Sequence, residues 1–503
     1  MVSRMFSFGL AGINAFPVTV EVDIGGGLPA FEIVGLPDAA VKESKERVRS
    51  ALRNAGFHFP AKRITVNLAP ADVRKTGPVY DLSILMGFLA CNSDIVGDFT
   101  GIGFIGELSL LGEVRPVKGV LPMALKAREL GFRALIIPAD NAPEVQYVDG
   151  LDIYPVGTVR QAVDLLLQPG TVEPLKTTVF HAESEEDFQI DFEDVKGQFI
   201  PRRAMEIAAA GGHNILMQGP PGSGKSMLAK RLPTILPPLT YDEALECTKI
   251  YSVAGLLERD IRKTRPFRSP HHTATYVALC GGGQQLMPGE LSMAHNGVLF
   301  LDELPEFSPQ VLDSMRAPLE DNEITVARAN GSVTYPCNVM LVCAMNPCKC
   351  GFMGHPSQKC VCSPGEIQRY RNRISGPLLD RIDIHVEVPA VSYEELSTKA
   401  PGEPSAAIRE RVIAARLKQQ ERYKNEGITK NADLSSPMVK KYCTLSPQAE
   451  QLLKQSFDKL DLSARGYYRI LKVARTIADL AGSETLELAH VTEALRYRTN
   501  DKK

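Results

Sequence analysis

The run Gly219-Pro220-Pro221-Gly222-Ser223-Gly224-Lys225-Ser226 constrains this chain more than any other feature. It fits G-x-x-x-x-G-K-[ST] at every fixed position, and that spacing has a definite physical use. Glycines let consecutive backbone N–H groups turn inward around a phosphate, and a helix opening at the lysine points its positive end at the same anion. The lysine reaches the β and γ phosphates, and the serine hydroxyl ligates Mg2+. Here the run follows the apolar Ile215-Leu216-Met217 and precedes a helix-like stretch from Met227 to Leu236, the setting the motif requires. A glycine-rich turn without a ligand is the plain alternative, and that flanking pattern argues against it.

Two more apolar runs, Val298-Leu299-Phe300-Leu301 and Val339-Met340-Leu341-Val342-Cys343, suit strands of a parallel sheet covered on both faces. The first ends in Asp302-Glu303, which places carboxylates at the carboxyl edge of a doubly wound sheet. Asp302 is expected in the Mg2+ shell, and Glu303 is expected to orient or deprotonate the attacking water. Without the glycine-rich run they would read as capping acids. The second run leads to Asn346, which can hydrogen-bond the same water and the γ-phosphate. By itself an Asn before Pro347 is more often a turn residue.

With 503 residues the chain exceeds one core, and its organisation reads in four parts. Residues 1–168 alternate strands (Val18 to Val22, Arg63 to Leu68, Ala134 to Pro138) with helices (Ala39 to Ala55, Leu121 to Leu130). Residues 169–189, with the acidic run Glu183 to Asp187, read as a linker or equally as a solvated face. Residues 190–390 carry the βαβ pattern. Residues 391–503 read as helical, over Ile408 to Lys424, Pro447 to Leu460, Tyr467 to Ala481 and Leu488 to Arg498. A net charge of -2 excludes a polycation, so any nucleic-acid contact must be local. No apolar run approaches the ~18 residues of a membrane helix, so a cytoplasmic address without membrane contact is expected.

Of ten cysteines, Cys348, Cys350, Cys360 and Cys362 form C-x-C-x9-C-x-C. Four thiolates satisfy a tetrahedral zinc at ~2.3 Å, and His355 is a substitute ligand. Free thiols on a loop near Asn346 are the other reading.

Long motifs extend this picture: Arg265 to His272, Ala294 to Glu306, Met345-Asn346-Pro347-Cys348 and Ser375 to Asp383. On these the chain resembles the Mg-chelatase-like AAA+ family of the ComM/YifB type. The resemblance implies a P-loop AAA+ αβα sandwich with a C-terminal helical lid. It also implies a homo-oligomeric ring, usually a hexamer, in which a neighbouring subunit completes each ATP site. Arg381, in Leu-Leu-Asp-Arg-Ile-Asp, lies where the family's arginine finger sits. From the residues alone, flanked by Asp380 and Asp383, it reads rather as a surface ion pair. Arg465 resembles the second sensor arginine, with Arg469 as rival, and Asp194-Val195-Lys196-Gly197-Gln198 resembles the segment beside the adenine.

Asn322 to Pro336 gives a hairpin signal with its turn at Asn330-Gly331. In similar ring motors such a hairpin enters the central pore, which makes Arg328 the candidate DNA contact. A plain surface hairpin is the other reading. His271-His272 and Gly281-Gly282-Gly283 look like a second pore-facing insertion. Gly106-Glu107-Leu108, Val114 to Val117 and Lys75 to Pro78 resemble the Lon-protease (ribosomal S5 domain 2-like) α/β domain. Val79 and Leu121 stand where that family carries its serine and lysine, so a binding or assembly module is expected rather than a protease.

These features together predict an ATP- and Mg2+-dependent motor acting on branched or single-stranded DNA, as in branch migration. A chelatase- or chaperone-like motor remodelling a protein is the alternative. A scaffold that only binds ATP would need no hydrolytic acid.

Overall fold

The three apolar runs at Ile215, Val298 and Met340 become neighbouring strands in the computed structural model, which describes residues 2–168, 170–182, 188–258, 260–328, 331–355, 357–391, 397, 402–460 and 462–498. The acidic run 183–187 and Asn330 of the expected turn lie outside the described residues. Two compact units emerge, residues 1–181 with 241–262 and residues 182–240 with 263–503.

The second unit is built on a sheet that, among the described residues, has five strands in the order Phe267–Arg268, Val298–Leu301, Met340–Met345, Ile215–Gln218 and Ile384–Glu387. All neighbours are parallel. Val298–Leu301 and Met340–Met345 are buried at every position, as strands covered on both faces must be. Parallel pairing has a functional consequence. It brings Gln218, Leu301 and Met345 to one edge, so the residues that follow each strand meet there although 127 residues separate Gly219 from Asn346 in register terms no local contact could span.

Helices Phe199–Gly211 and Lys225–Ile235 pack on this sheet, and helices Ser405–Arg422, Ala464–Ala481 and Leu488–Arg496 share the same apolar core. The helical C-terminal segment is thus continuous with the sheet's core. A buried polar network pins it internally. Asp479 accepts from Arg475 Nε at 3.2 Å, from Arg422 Nη1 at 3.0 Å and from Asn431 Nδ2 at 2.9 Å. Arg475 is 1% exposed, so losing either charge would strand the other in the interior.

The first unit has a mixed sheet that, among the described residues, runs Ala30–Val34, Arg63–Ala69, Asn14–Gly25, Val2–Ala11, Ile102–Phe104, Ala134–Pro138, Asp152–Val156. Its helix Asp81–Cys91 is buried at almost every residue and so lacks the polar face that helical periodicity relies on. Helix Tyr241–Ala254 lies within the 190–390 stretch of the sequence but belongs to this unit by its contacts. Ser252 donates to the buried Glu144 carboxylate, and Tyr241 Oη donates to the Tyr147 carbonyl at 2.6 Å. Val79 and Leu121 are buried apolar side chains. Among the described residues, no helix is long and apolar enough to cross a membrane.

Candidate nucleotide site

Close backbone approach sets the shape of the Gly219–Ser226 loop. The Gly219 amide donates to the Met345 carbonyl at 3.2 Å, and a Cβ on Gly219 would stand 2.1 Å from the Val388 carbonyl oxygen. Gly222 and Gly224 hold φ of +75° and +89°, a region that favours glycine. The helix then starts at Lys225 with no side-chain cap, which leaves the amides of its first turn facing the loop. That is the cradle an anion needs.

Lys225 is buried, and its ammonium donates to the Gly219 carbonyl at 2.8 Å, the Pro220 carbonyl at 2.9 Å and Asn346 Oδ1 at 3.2 Å. Burial holds this ammonium below the usual lysine range, while Asp302 and Glu303 pull the other way. Ser226 Oγ donates to Asp302 Oδ2 at 2.6 Å, and the Glu303 amide donates to Asp302 Oδ1 at 2.9 Å. Gly219 to Ser226, Asp302 and Asn346 are therefore assembled at one edge of one sheet, with Glu303 beside them. The donor set fits a magnesium triphosphate: backbone amides and an ammonium for the anion, a hydroxyl and a carboxylate for the hard cation.

Glu303 sits at φ +51°, with its side chain 55% exposed and one oxygen 3.3 Å from His272 Nδ1. His272, expected in an insertion between the two nucleotide motifs, stands against this acid. The signal was present in register. Phe267–Arg268 pairs in parallel with Val298–Leu299, so the residues after Arg268 arrive at the same edge as those after Leu301. A two-residue strand is too short to show as a periodic pattern. The His271 and His272 rings lie against each other, tilted by 34°, with centroids 4.1 Å apart.

Gln198, at φ +53°, reaches the loop from another side, with Nε2 donating to the Ser223 carbonyl at 3.1 Å and the Pro389 carbonyl at 2.7 Å. Among the described residues its buried Oε1 has no hydrogen-bond partner. Asp194 accepts from Arg231 Nη2 at 2.8 Å, tying the 194–198 segment to the helix that begins at Lys225.

The arginines separate by environment. Arg469 is drawn to Asp383, with Nε 3.8 Å from Oδ1, and donates to the Ile382 carbonyl at 3.3 Å. Asp383 also accepts from His213 Nδ1 at 3.2 Å. Burial would raise this carboxyl, but His213, Arg469 and Lys472 outweigh it and hold it well below the usual range. Arg465, in the first turn of helix Ala464–Ala481, is exposed. Arg381 does form an ion pair, though with Glu320 rather than the flanking Asp380 or Asp383, and it also donates to the Arg316 carbonyl at 2.9 Å and the Pro377 carbonyl at 2.7 Å.

Strands Glu323–Arg328 and Gly331–Pro336 form the expected hairpin, with Arg328 opposite Gly331. Arg328 is exposed. Tyr335 Oη donates to the Leu286 carbonyl at 2.6 Å, and a Cβ on Gly282 would lie 3.9 Å from Arg328 Nη2. The hairpin and the glycine run are thus side by side.

The sulfur atoms of Cys348, Cys350, Cys360 and Cys362 all lie within 4.8 Å of one another, and all four thiols are free. Backbone amides of Phe352 and Val361 donate to Cys350 and hold its thiol below the usual range. His355 is not among the converging ligands. Its Nδ1 accepts instead from the backbone amides of Ser357 at 3.2 Å and Gln358 at 3.0 Å.

The family described as magnesium chelatase, subunit ChlI, matches residues 191–396; subunit ChlI of Mg-chelatase matches 20–141, and the subunit's C-terminal family matches 402–498. The competence protein ComM of Haemophilus influenzae is 44% identical over 504 residues, covering 98% of this chain and 97% of that protein. YifB of Escherichia coli is 43% identical over 496 residues, covering 98% and 96%. Lon protease 2 of Bacillus subtilis is 31% identical over 144 residues, 28% of this chain and 25% of that protein.

Proposed function

Because the chain belongs to the Mg-chelatase-like AAA+ ATPase family, ComM/YifB type, we propose that it is a ring motor that couples ATP hydrolysis to movement on DNA. Family membership makes it an AAA+ ATPase that uses ATP and Mg2+. The finer reading assigns roles to the residues at the sheet edge. The Gly219–Ser226 amides and Lys225 bind the triphosphate, and Ser226 and Asp302 hold the Mg2+, which neutralises charge on the phosphates when bound. Glu303 takes a proton from the attacking water, and Asn346 orients that water. Arg465, exposed at the start of its helix, is the sensor arginine, since Arg469 is committed to Asp383.

In this reading the active form is a hexamer, and Arg381 serves the site of the adjoining protomer. Its guanidinium must leave Glu320 to do so. The first unit, without a nucleophile at Val79 or a base at Leu121, is a binding or assembly module, and the cysteine cluster holds zinc.

One observation carries the DNA assignment. Arg328 is exposed at the end of a hairpin strand, opposite Gly331, where its guanidinium can meet a phosphate backbone. The similarity to a protein named for competence supports the same reading. A mobile DNA junction with one labelled strand tests it. Exchange of that strand should require ATP, Mg2+ and Lys225. The family match to a chelatase subunit favours the second reading, a motor remodelling a protein. An ATP-dependent change in a protein partner, with the junction left intact, would select it.

A further inference from the structure

The cysteine loop does not stand apart from the nucleotide site. Cys348 is two residues beyond Asn346, and it is fully buried. Gly351, between Cys350 and Phe352, holds φ +85°, and a Cβ there would lie 2.6 Å from Pro221 Cδ and 3.9 Å from Asn346 Cγ. One turn of the loop therefore rests on both the phosphate-binding loop and the asparagine that accepts from Lys225.

The loop converges on its sulfurs. From Gly351 to Val361 the described residues form no helix or strand, and Cys348, Cys350 and Cys360 meet at 3.4–3.6 Å. Backbone amides aimed at Cys350 from Phe352 and Val361 supply the hydrogen bonds that a thiolate accepts when it ligates a metal. A soft divalent cation bound by four thiolates would close this loop without an apolar core.

We propose that Cys348, Cys350, Cys360 and Cys362 form a zinc site whose occupancy holds Gly351 against Pro221 and Asn346, so that metal binding and nucleotide binding are one linked equilibrium. This rests on the ATP-site reading for its functional readout. With the metal removed, the turn is released from Pro221, and the cradle loses the support that keeps its amides convergent. ATP affinity then falls, and since linkage is reciprocal, bound ATP slows the loss of zinc.

The test uses full-length protein purified under reducing conditions without chelator, with zinc measured by atomic absorption and binding of an ATP analogue by titration. One zinc per chain is expected. Stripping with a chelator should weaken analogue binding tenfold or more, and adding zinc alone should restore it. Gly351→Ala should keep the zinc yet weaken analogue binding, because its methyl meets Pro221. Gly354→Ala is the control for backbone strain, since Gly354 also holds a positive φ, +77°, but has open space around it. It should bind both zinc and analogue as the wild type does.

Substoichiometric zinc in the wild type overturns the proposal. So does stripped protein that binds the analogue with unchanged affinity, or a Gly351→Ala chain indistinguishable from wild type. Zinc-loaded wild type that binds no analogue would instead defeat the nucleotide reading, while the metal content still reports on the cluster.

Discussion

Ser226 Oγ donates to Asp302 Oδ2 at 2.6 Å, across 76 residues of sequence. A hydroxyl from a helix start and a carboxylate from a strand end are held together, and in the proposed reading they are two ligands for one hard cation. Ser226→Ala and Asp302→Asn should each raise the Mg2+ concentration for half-maximal ATPase by about tenfold. The double variant should cost less than the product of the two, because they share one cation. Magnesium titrations of the hydrolysis rate check this.

Lys225 serves through a compact ammonium that fits between two carbonyls and Asn346. Lys225→Ala should abolish ATPase activity. Lys225→Arg should fail nearly as badly, since a planar fork does not fit a site built for a point charge. A steady-state phosphate-release assay distinguishes them from the wild type.

Glu303→Gln should bind ATP with near-normal affinity and hydrolyse it ~10²–10⁴-fold more slowly, the usual scale for a lost general base. His272 lies 3.3 Å from that carboxylate and touches no residue of the glycine-rich loop by hydrogen bond among the described residues. Its Ala variant should therefore change kcat while leaving nucleotide affinity within about twofold, and His272→Gln should recover part of the change. A KM-against-kcat comparison checks both.

Much of this site was legible before any coordinates, because its motifs are local. Gly219 to Ser226 is contiguous, and Asp302, Glu303 and Asn346 each follow an apolar strand that announces itself. What stayed hidden was long-range. Arg381 pairs with Glu320 rather than its neighbours, His272 meets Glu303 through a two-residue strand, and Gly351 rests on Pro221. None of these follows from spacing along the chain. The fold shows the same division. Helices with a clear apolar face were found within a few residues of their ends, whereas Asp81–Cys91, buried nearly all round, carries no periodic signal.

Asp383 ties the sheet to the C-terminal helices through His213 and Arg469, and its folded-state pKa is depressed. A carboxyl held below its unfolded value of ~3.9 contributes stability that is fully present above that pH. The contribution is lost as pH falls from about 4 toward the folded value. Asp383→Asn should therefore lower stability at neutral pH and flatten the decline in acid, as read by denaturant melts from pH 7 to 3.

Arg381→Ala should reduce ATPase by ~10³-fold, the scale of a lost arginine finger. Mixing it with Glu303→Gln protein should recover activity, because a ring can then join an intact Glu303 on one protomer to an intact Arg381 on the next. No recovery at any mixing ratio would place Arg381 in its own chain's site or in structure alone.

The most direct measurement is the rate of phosphate release by the wild-type chain in Mg2+ and ATP, with and without branched or single-stranded DNA, beside Lys225→Ala. A rate that rises with DNA and is absent from the variant is the predicted result. A rate indifferent to every nucleic acid, rising only when a protein fraction is added, would contradict it.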